Sequence, residues 1–218
     1  MTKGVGSDIS EGEKDLVSQL EEASPAKSIG VVGPGDKRSV FLVHGRDVQA
    51  AKEMRTFLRA LGLRVIEWES AVRETGQAAP YIGDVIFAGM RVADAVVVLA
   101  TPDDLVRLRP DLVSREDSAN EMEMRGQARA NVIYEAGIAD ALDRSRTILV
   151  EIGSVKSLSD LSGRNVVRFD GGATSRHKLV VRLQSAGLEP ETTGDDWLEI
   201  GDFAAAIEAA RMALAAAT

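Results

Sequence analysis

One glutamate in this sequence stands where an apolar side chain would be expected. The stretch RANVIYEAG at 129–137 predicts a helix that continues through Leu142. At about 100° per residue, Glu135 falls in the middle of its apolar stripe, and Asn131 lies one turn earlier on the same face. A carboxylate among apolar neighbours is partly desolvated and is a candidate for chemistry, with Asn131 able to orient it or a ligand. The alternative is a carboxylate that bends to solvent or pairs with an arginine.

A second set of candidates follows the first predicted strand, VFLV at 40–43. His44, Gly45, Arg46 and Asp47 could form an anion cradle, in which helix amides and the arginine hold a phosphate and the glycine allows close approach. A plain turn with an exposed arginine and a capping aspartate is the alternative. Neither G-x-G-x-x-G nor G-x-x-x-x-G-K-[ST] occurs, which argues against hydride transfer and NTP hydrolysis.

Two more strand ends carry polar or aromatic side chains. The motif TPDD places Asp103 and Asp104 after the third strand, where they could hold ribose hydroxyls or a metal, or cap a helix. Trp68 ends the predicted second strand and could stack on a ring or pack on its own loop. No metal site is expected, because the sequence has two histidines and no cysteine and brings too few ligands together.

Strands that alternate with helices predict an α/β fold, in the form of a flavodoxin-like, doubly wound, five-stranded parallel sheet. In such folds ligands bind beyond the carboxyl ends of the strands. A loop is expected from Glu69 to Ala79, a helix from Pro80, and an irregular stretch at 105–127 that is partly helical near Glu121. The predicted strands are VFLV, LRVIEW, AVVVLA, RTILVEI and NVVRF, and the last helix of the sheet domain is placed at 176–186.

Short helical extensions are predicted at both ends of the domain. Residues 1–38 contain a capping box, Ser10 with Glu13, for a helix through Ala23, followed by a linker. The sheet domain is expected at 39–187, and 188–218 reads as an acidic linker with an alanine-rich helix at 203–217.

Composition narrows the classes of partner. The net charge is −8 without a block of lysine and arginine, so direct binding of nucleic acid is not expected. The longest apolar run, AVVVLA, is too short to span a membrane, and the N-terminus shows no apolar secretory segment. A cytoplasmic location is expected.

Four pieces in this order resemble a TIR domain, and more closely the bacterial TIR-like group of predicted nucleotide-binding proteins found among anti-phage effectors. They are VFLVHGRD at 40–47, FLRALGLRVIEW at 57–68, ADAVVVLATPDD at 93–104 and RANVIYEAG at 129–137. The resemblance implies the TIR fold and, in many members, cleavage of NAD+ at the nicotinamide–ribose bond without a cofactor. It places the essential glutamate at Glu135 and substrate contacts at His44, Gly45 and Arg46. Many TIR domains have Trp or Cys where this chain, like the bacterial group, has Asn131.

The resemblance also implies regulation. TIR enzymes generally become active when they form homo-oligomers through TIR–TIR contacts, and the 69–79 loop matches their assembly loop. The flanking segments are too short to form a large sensor domain, so the trigger is expected from a separate sensor protein, with a fragment of a longer protein or a freestanding effector as the alternatives. Three competing hypotheses stay open: a module that binds a nucleotide without cleaving it, an adaptor that only self-associates, and a nucleoside transferase that uses a glutamate nucleophile.

Overall fold

Five parallel strands form the central sheet of the computed structural model, which describes residues 37–114, 122–156 and 165–217. The strand order is β2-β1-β3-β6-β7, the flavodoxin-like arrangement that the sequence predicts. The predicted N-terminal helix lies outside the described residues. The strands are β1 Ser39–His44, β2 Arg64–Val65, β3 Ala95–Ala100, β4 Asp104–Val106, β5 Arg125–Gln127, β6 Thr147–Glu151 and β7 Val167–Arg168. The helices are α1 Val48–Ala60, α2 Trp68–Glu74, α3 Ile82–Val92, α4 Ala130–Asp143, α5 Ala173–Ser185 and α6 Phe203–Ala217.

Alternating side chains of the strands feed two apolar layers, one on each face of the sheet. From β1, Val40 and Leu42 enter the layer beneath α1, α5 and α6, whereas Phe41 and Val43 enter the layer beneath α2, α3 and α4. This two-sided burial explains why β1 and β3 are continuous apolar runs in the sequence.

The second strand is shorter than predicted, and a helix occupies the first part of the loop expected from Glu69 to Ala79. Only Arg64 and Val65 pair with β1, and Glu67 then starts a helical turn by accepting the amides of Ser70 and Ala71. The helix forms because Ala71 is fully buried against the sheet. Trp68 therefore begins α2 instead of ending β2, and α3 begins at Ile82 instead of Pro80.

A small antiparallel sheet occupies part of the stretch predicted to be irregular. β4 pairs with β5 across about twenty residues of chain, a separation that no local pattern reveals. The Gly126 carbonyl accepts the Lys156 amide at 2.7 Å, which joins β5 to the segment after β6. The helix expected near Glu121 lies partly outside the described residues.

The C-terminal segment completes the same core. Leu188, Trp197, Phe203 and Ala206 are buried in the layer beneath α1 and α5. Phe203 lies 4.7 Å from Phe169, centroid to centroid, in an edge-to-face pair. Residues beyond 187, assigned from the sequence to an appended linker and helix, thus belong to the compact unit that runs from Lys37.

A buried arginine holds this segment in place. The guanidinium of Arg176 donates to the carbonyls of Gly171 at 2.6 Å, Trp197 at 2.9 Å and Ile200 at 2.7 Å. Burial lowers the pKa of Arg176, and the carbonyl partners compensate the desolvated charge.

Candidate active site

The candidate residues gather at one edge of the sheet, where the parallel strands end. His44 closes β1, and Asp104 opens β4 just after β3. The helix α4 returns antiparallel to the strands before β6, so its first turns lie at the same edge. Glu135 is the sixth residue of α4, about 8 Å along the axis from its start at 1.5 Å per residue. The topology therefore places Glu135 in the half of the helix nearest the crevice.

Glu135 borders the buried face of α4 and is not at its centre, which corrects the sequence prediction. The buried residues of the helix are Val132, Ala136 and Ala139, and the Glu135 side chain is half-buried beside them. Asn131 is exposed in the first turn. Helical periodicity predicted Glu135 at the centre of the apolar stripe, but the buried residues of α4 lie to one side of it. Apolar residues on the exposed face of the helix made the stripe look wider than the face that is buried.

The Glu135 carboxyl group is desolvated and has no polar partner among the residues that the structure describes. Burial raises the pKa of its carboxyl group. Across residues 37–114, 122–156 and 165–217, no side chain or amide forms a hydrogen bond or ion pair with this carboxylate. The carboxylate is therefore available to a ligand that carries hydroxyls or positive charge.

His44 faces the opposite side of the sheet from Glu135. Its side chain follows Val43 in the alternation of β1, and its Nε2 accepts a hydrogen bond from Arg55 of α1 at 2.6 Å. Because arginine can only donate, the ring proton lies on Nδ1, which donates to the Gly45 carbonyl at 2.9 Å. Burial lowers the pKa of His44. Both ring nitrogens are hydrogen-bonded within the protein, so His44 stabilises the turn after β1.

The turn after β1 is bonded to the end of β3. The Arg46 amide donates to Asp103 Oδ2, and Asp47 caps α1 by accepting the Ala50 amide at 2.8 Å. The side chain of Arg46 is exposed. The predicted anion cradle thus keeps its arginine, but one of its amides is already bound to a carboxylate of the protein.

Asp104 connects the small sheet to α4. Its Oδ1 accepts from Arg129 Nη1 at 3.1 Å, and Arg129 is the residue that precedes α4. A half-exposed pair of this kind contributes little to stability. Its effect is positional, since it holds β4 against the start of the helix that carries Glu135.

Trp68 remains at the same edge of the sheet but on a different element from the one predicted. It begins α2, and 46% of its surface is exposed, so its ring can cover a ligand. The hydrogen bonds of the described chain connect Arg46 with Asp103 and Asp104 with Arg129, but they connect neither Trp68 nor Asn131 to Glu135.

Sequence reasoning missed Arg55 and Arg129. Arg55 could have been found from its position on the face of α1 that looks back to the strand end, and Arg129 from its place just before α4. No group of three or more metal-binding side chains occurs within the described ranges. Nor does any helix there have the length and apolarity needed to cross a membrane.

The parallel sheet with the strand order β2-β1-β3-β6-β7, covered by helices on both faces, is the arrangement of a TIR-type α/β domain. Residues 39–171 match the family described as CAP12/Pycsar effector protein, TIR domain, and the chain belongs to this bacterial anti-phage TIR-like family. It is 31% identical over 158 residues to "Uncharacterized protein YuaY" of Escherichia coli strain K12. That region covers 69% of this chain and 46% of the relative, so the chain spans about half of the relative's length.

Proposed function

We propose that this protein hydrolyses NAD+ at the nicotinamide–ribose bond, as an effector in anti-phage defence. The observation that supports the proposal is Glu135, a half-buried carboxylate without a partner among the described residues, on the helix that reaches the carboxyl edge of the sheet. Membership of an effector TIR family supports the biological setting.

The reaction needs one carboxylate and no cofactor. The bond between C1′ and the nicotinamide nitrogen breaks, and its electron pair stays on the nitrogen, so the cationic ring leaves as neutral nicotinamide. The ribose becomes oxocarbenium-like, as in glycoside hydrolysis. Glu135 stabilises this developing charge and binds the ribose hydroxyls, an interaction that strengthens towards the transition state. Water adds to C1′ and releases a proton, which gives ADP-ribose; attack by an adenine nitrogen would give a cyclic form.

The other candidates bind the rest of the substrate. Arg46 holds the pyrophosphate, Trp68 covers a ring, Asp104 binds hydroxyls, and Asn131 orients the carboxylate or the nicotinamide. His44 and Gly45 contribute by shaping the turn that presents Arg46.

Activity is proposed to depend on assembly into a homo-oligomer through TIR–TIR contacts, with a separate sensor protein as a source of the trigger. Two exposed apolar residues lie where α3 begins: Tyr81, just before the helix, is 82% exposed, and Ile82, its first residue, is 69% exposed. Apolar surface of this kind favours association between copies.

The test is nicotinamide release from NAD+, measured by chromatography over a series of protein concentrations with and without a crowding agent. Wild-type release should rise steeply with concentration, and Glu135→Gln should lower kcat by at least about a hundredfold, because an amide cannot stabilise positive charge. Glu151→Gln is the matched control. Burial also raises the pKa of Glu151, but this glutamate pairs with Arg168 at 3.7 Å.

Wild-type turnover in the Glu135→Gln variant would refute the catalytic assignment. Saturable NAD+ binding without products, under every assembly condition, would favour the binding module instead. A trapped glycosyl-enzyme would indicate the transferase.

A further inference from the structure

The carboxylate of Asp103 ties together the two strand ends that border the crevice. Its Oδ2 accepts the backbone amide of Arg46 at 2.5 Å, and its Oδ1 accepts the hydroxyl of Thr101 at 2.7 Å. Thr101 is 3% exposed at the end of β3. The Asp103 side chain thus connects Thr101, a buried residue directly after the central strand, to the turn that carries Arg46.

Gly45 leaves the space that this contact needs. A Cβ added at Gly45 would lie 1.8 Å from Asp103 Oδ2 and 2.9 Å from Asp103 Cγ, so the carboxylate would have to move away from its present position. The backbone of Gly45 does not have a positive φ, so the glycine serves space and not conformation.

The segment that carries Asp103 is itself packed on two sides. A Cβ at Gly126 would lie 2.3 Å from Pro102 Cβ, and one at Gly153 would lie 3.4 Å from Pro102 Cγ. Pro102 is therefore enclosed by the small sheet and by the turn after β6. This packing restrains the backbone of the segment from which the Asp103 side chain extends.

The bond between Asp103 and Arg46 has a consequence for anion binding at the turn. A helix-start turn normally offers its amides to a phosphate, but here the amide of Arg46 is bound to a protein carboxylate. The turn would therefore bind an anionic ligand through the Arg46 side chain. Asp103 fixes the backbone position from which this side chain extends.

We propose that Asp103 is a positioning residue, which fixes the turn after β1 so that the Arg46 side chain meets the pyrophosphate of the substrate. The inference rests on the proposed function. It assigns different roles to the two neighbouring aspartates. Asp104 connects the small sheet to the start of α4, whereas Asp103 acts on the turn through the backbone of Arg46.

The first test compares Asp103→Ala with Asp103→Asn by steady-state kinetics on NAD+. Loss of a charge-assisted hydrogen bond should raise KM about tenfold or more in Asp103→Ala, while kcat changes less than threefold because Glu135 is untouched. Asp103→Asn keeps an oxygen for the Arg46 amide, and the Thr101 hydroxyl can accept from its NH₂ group. It should keep KM within about threefold of wild type. A loss in Asp103→Asn as large as in Asp103→Ala would overturn the positioning role, since it would indicate that the charge itself contacts substrate.

The second test is a double-mutant cycle with Gly45→Ala. In the wild-type background the new methyl group displaces Asp103, so KM should rise about as much as in Asp103→Ala. In the Asp103→Ala background the same change should cost little, because the clashing atoms are gone. Increases that simply multiply would overturn the proposal.

A measurement that does not depend on catalysis accompanies the kinetics. Hydrogen exchange of the Arg46 amide, followed by NMR on the full chain, should accelerate at least about tenfold in Asp103→Ala and stay near wild type in Asp103→Asn. An unchanged exchange rate of the Arg46 amide in Asp103→Ala would overturn the positioning role of Asp103. If wild type releases no nicotinamide, the proposed function fails and the positioning role fails with it. If release depends on Glu135 but KM is unchanged in Asp103→Ala, only the positioning role fails.

Discussion

At Glu135 the chemistry and the fold make opposite demands on the same carboxyl group. The proposed reaction uses the ionised form, whereas burial raises the pKa of the group and so disfavours that form. An active site commonly has such a group, which costs stability so that it can interact with a substrate.

This conflict predicts that Glu135→Gln stabilises the protein at neutral and alkaline pH. Below the ordinary pKa of 4.5 the carboxyl is protonated in both the folded and the unfolded state, and the two proteins should have similar Tm values. As the pH rises through the raised folded-state pKa, only wild type loses stability, because its unfolded state ionises more readily. We expect the Tm of the variant to be about 1–3 °C above wild type at pH 8, measured by calorimetry.

Asp170→Asn is the control with the opposite sign. The Ser175 hydroxyl and the Gly172 amide donate to Asp170 at 2.6 Å and 2.9 Å, and these bonds lower its pKa below 3.8. The stability they provide is present above pH 3.8 and is lost as the pH falls through the lowered value. The variant should therefore have a lower Tm than wild type at pH 8. A Glu135→Gln variant that is less stable than wild type at pH 8 would contradict the desolvation argument.

At the scale of elements, α3 and α4 pack on the same face of the sheet, and their similar sequence patterns lie in different surroundings. Both α3 and α4 contain a glycine in an apolar helical stretch. Gly89 lies against the ring of Phe41, where an added Cβ would be 2.3 Å from Cε2, whereas nothing lies within 4 Å of the equivalent position at Gly137.

The two glycines should therefore respond in opposite ways to alanine. Gly137→Ala should increase the free energy of unfolding by roughly 0.5–1 kcal/mol, because alanine has the higher helix propensity and meets no neighbour. Gly89→Ala should reduce it by about 1–3 kcal/mol, since the methyl group overpacks the contact with Phe41. Urea unfolding of both variants decides the matter, and equal effects at the two sites would show that propensity outweighs packing there.

At the scale of the whole molecule, the C-terminal segment after residue 187 packs into the apolar core on one face of the sheet. Phe203 and Trp197 are buried in the core, and Arg176 donates to backbone carbonyls in the same segment. Without those carbonyls the guanidinium of Arg176 would be left with fewer partners, and apolar surface of α1 and α5 would be exposed.

A chain that ends at residue 187 should consequently lose its cooperative thermal transition or show a Tm at least about 10 °C lower. A chain that ends at residue 210 keeps Phe203, Ala206 and Ile207 and removes mainly exposed residues of α6, so it should unfold close to wild type. Circular dichroism melts compare the three proteins. Full stability of the 187-residue chain would show that the segment is dispensable.

Much of the fold follows from local sequence alone, as does the choice of Glu135 as the candidate catalytic carboxylate. The runs VFLV and AVVVLA are apolar on both sides because strands covered on both faces must be, and this fixes the parallel sheet and its carboxyl edge. The range of α6 and the length of α4 follow from helical periodicity and composition, as does the presence of a glutamate beside the buried face.

Only the tertiary structure decided what depends on residues distant in the chain. Trp68 lies in a helix, which packs Ala71 against the sheet. The strands β4 and β5 pair across a stretch of chain whose spacing does not predict the pairing. The ring of His44 is hydrogen-bonded to Arg55 of α1, a partner eleven residues away in the sequence, and Asp103 accepts the Arg46 amide because Gly45 leaves room for its carboxylate. Periodicity reports which face of an element is buried, but hydrogen-bond partners are chosen by atoms that meet only when the chain is folded.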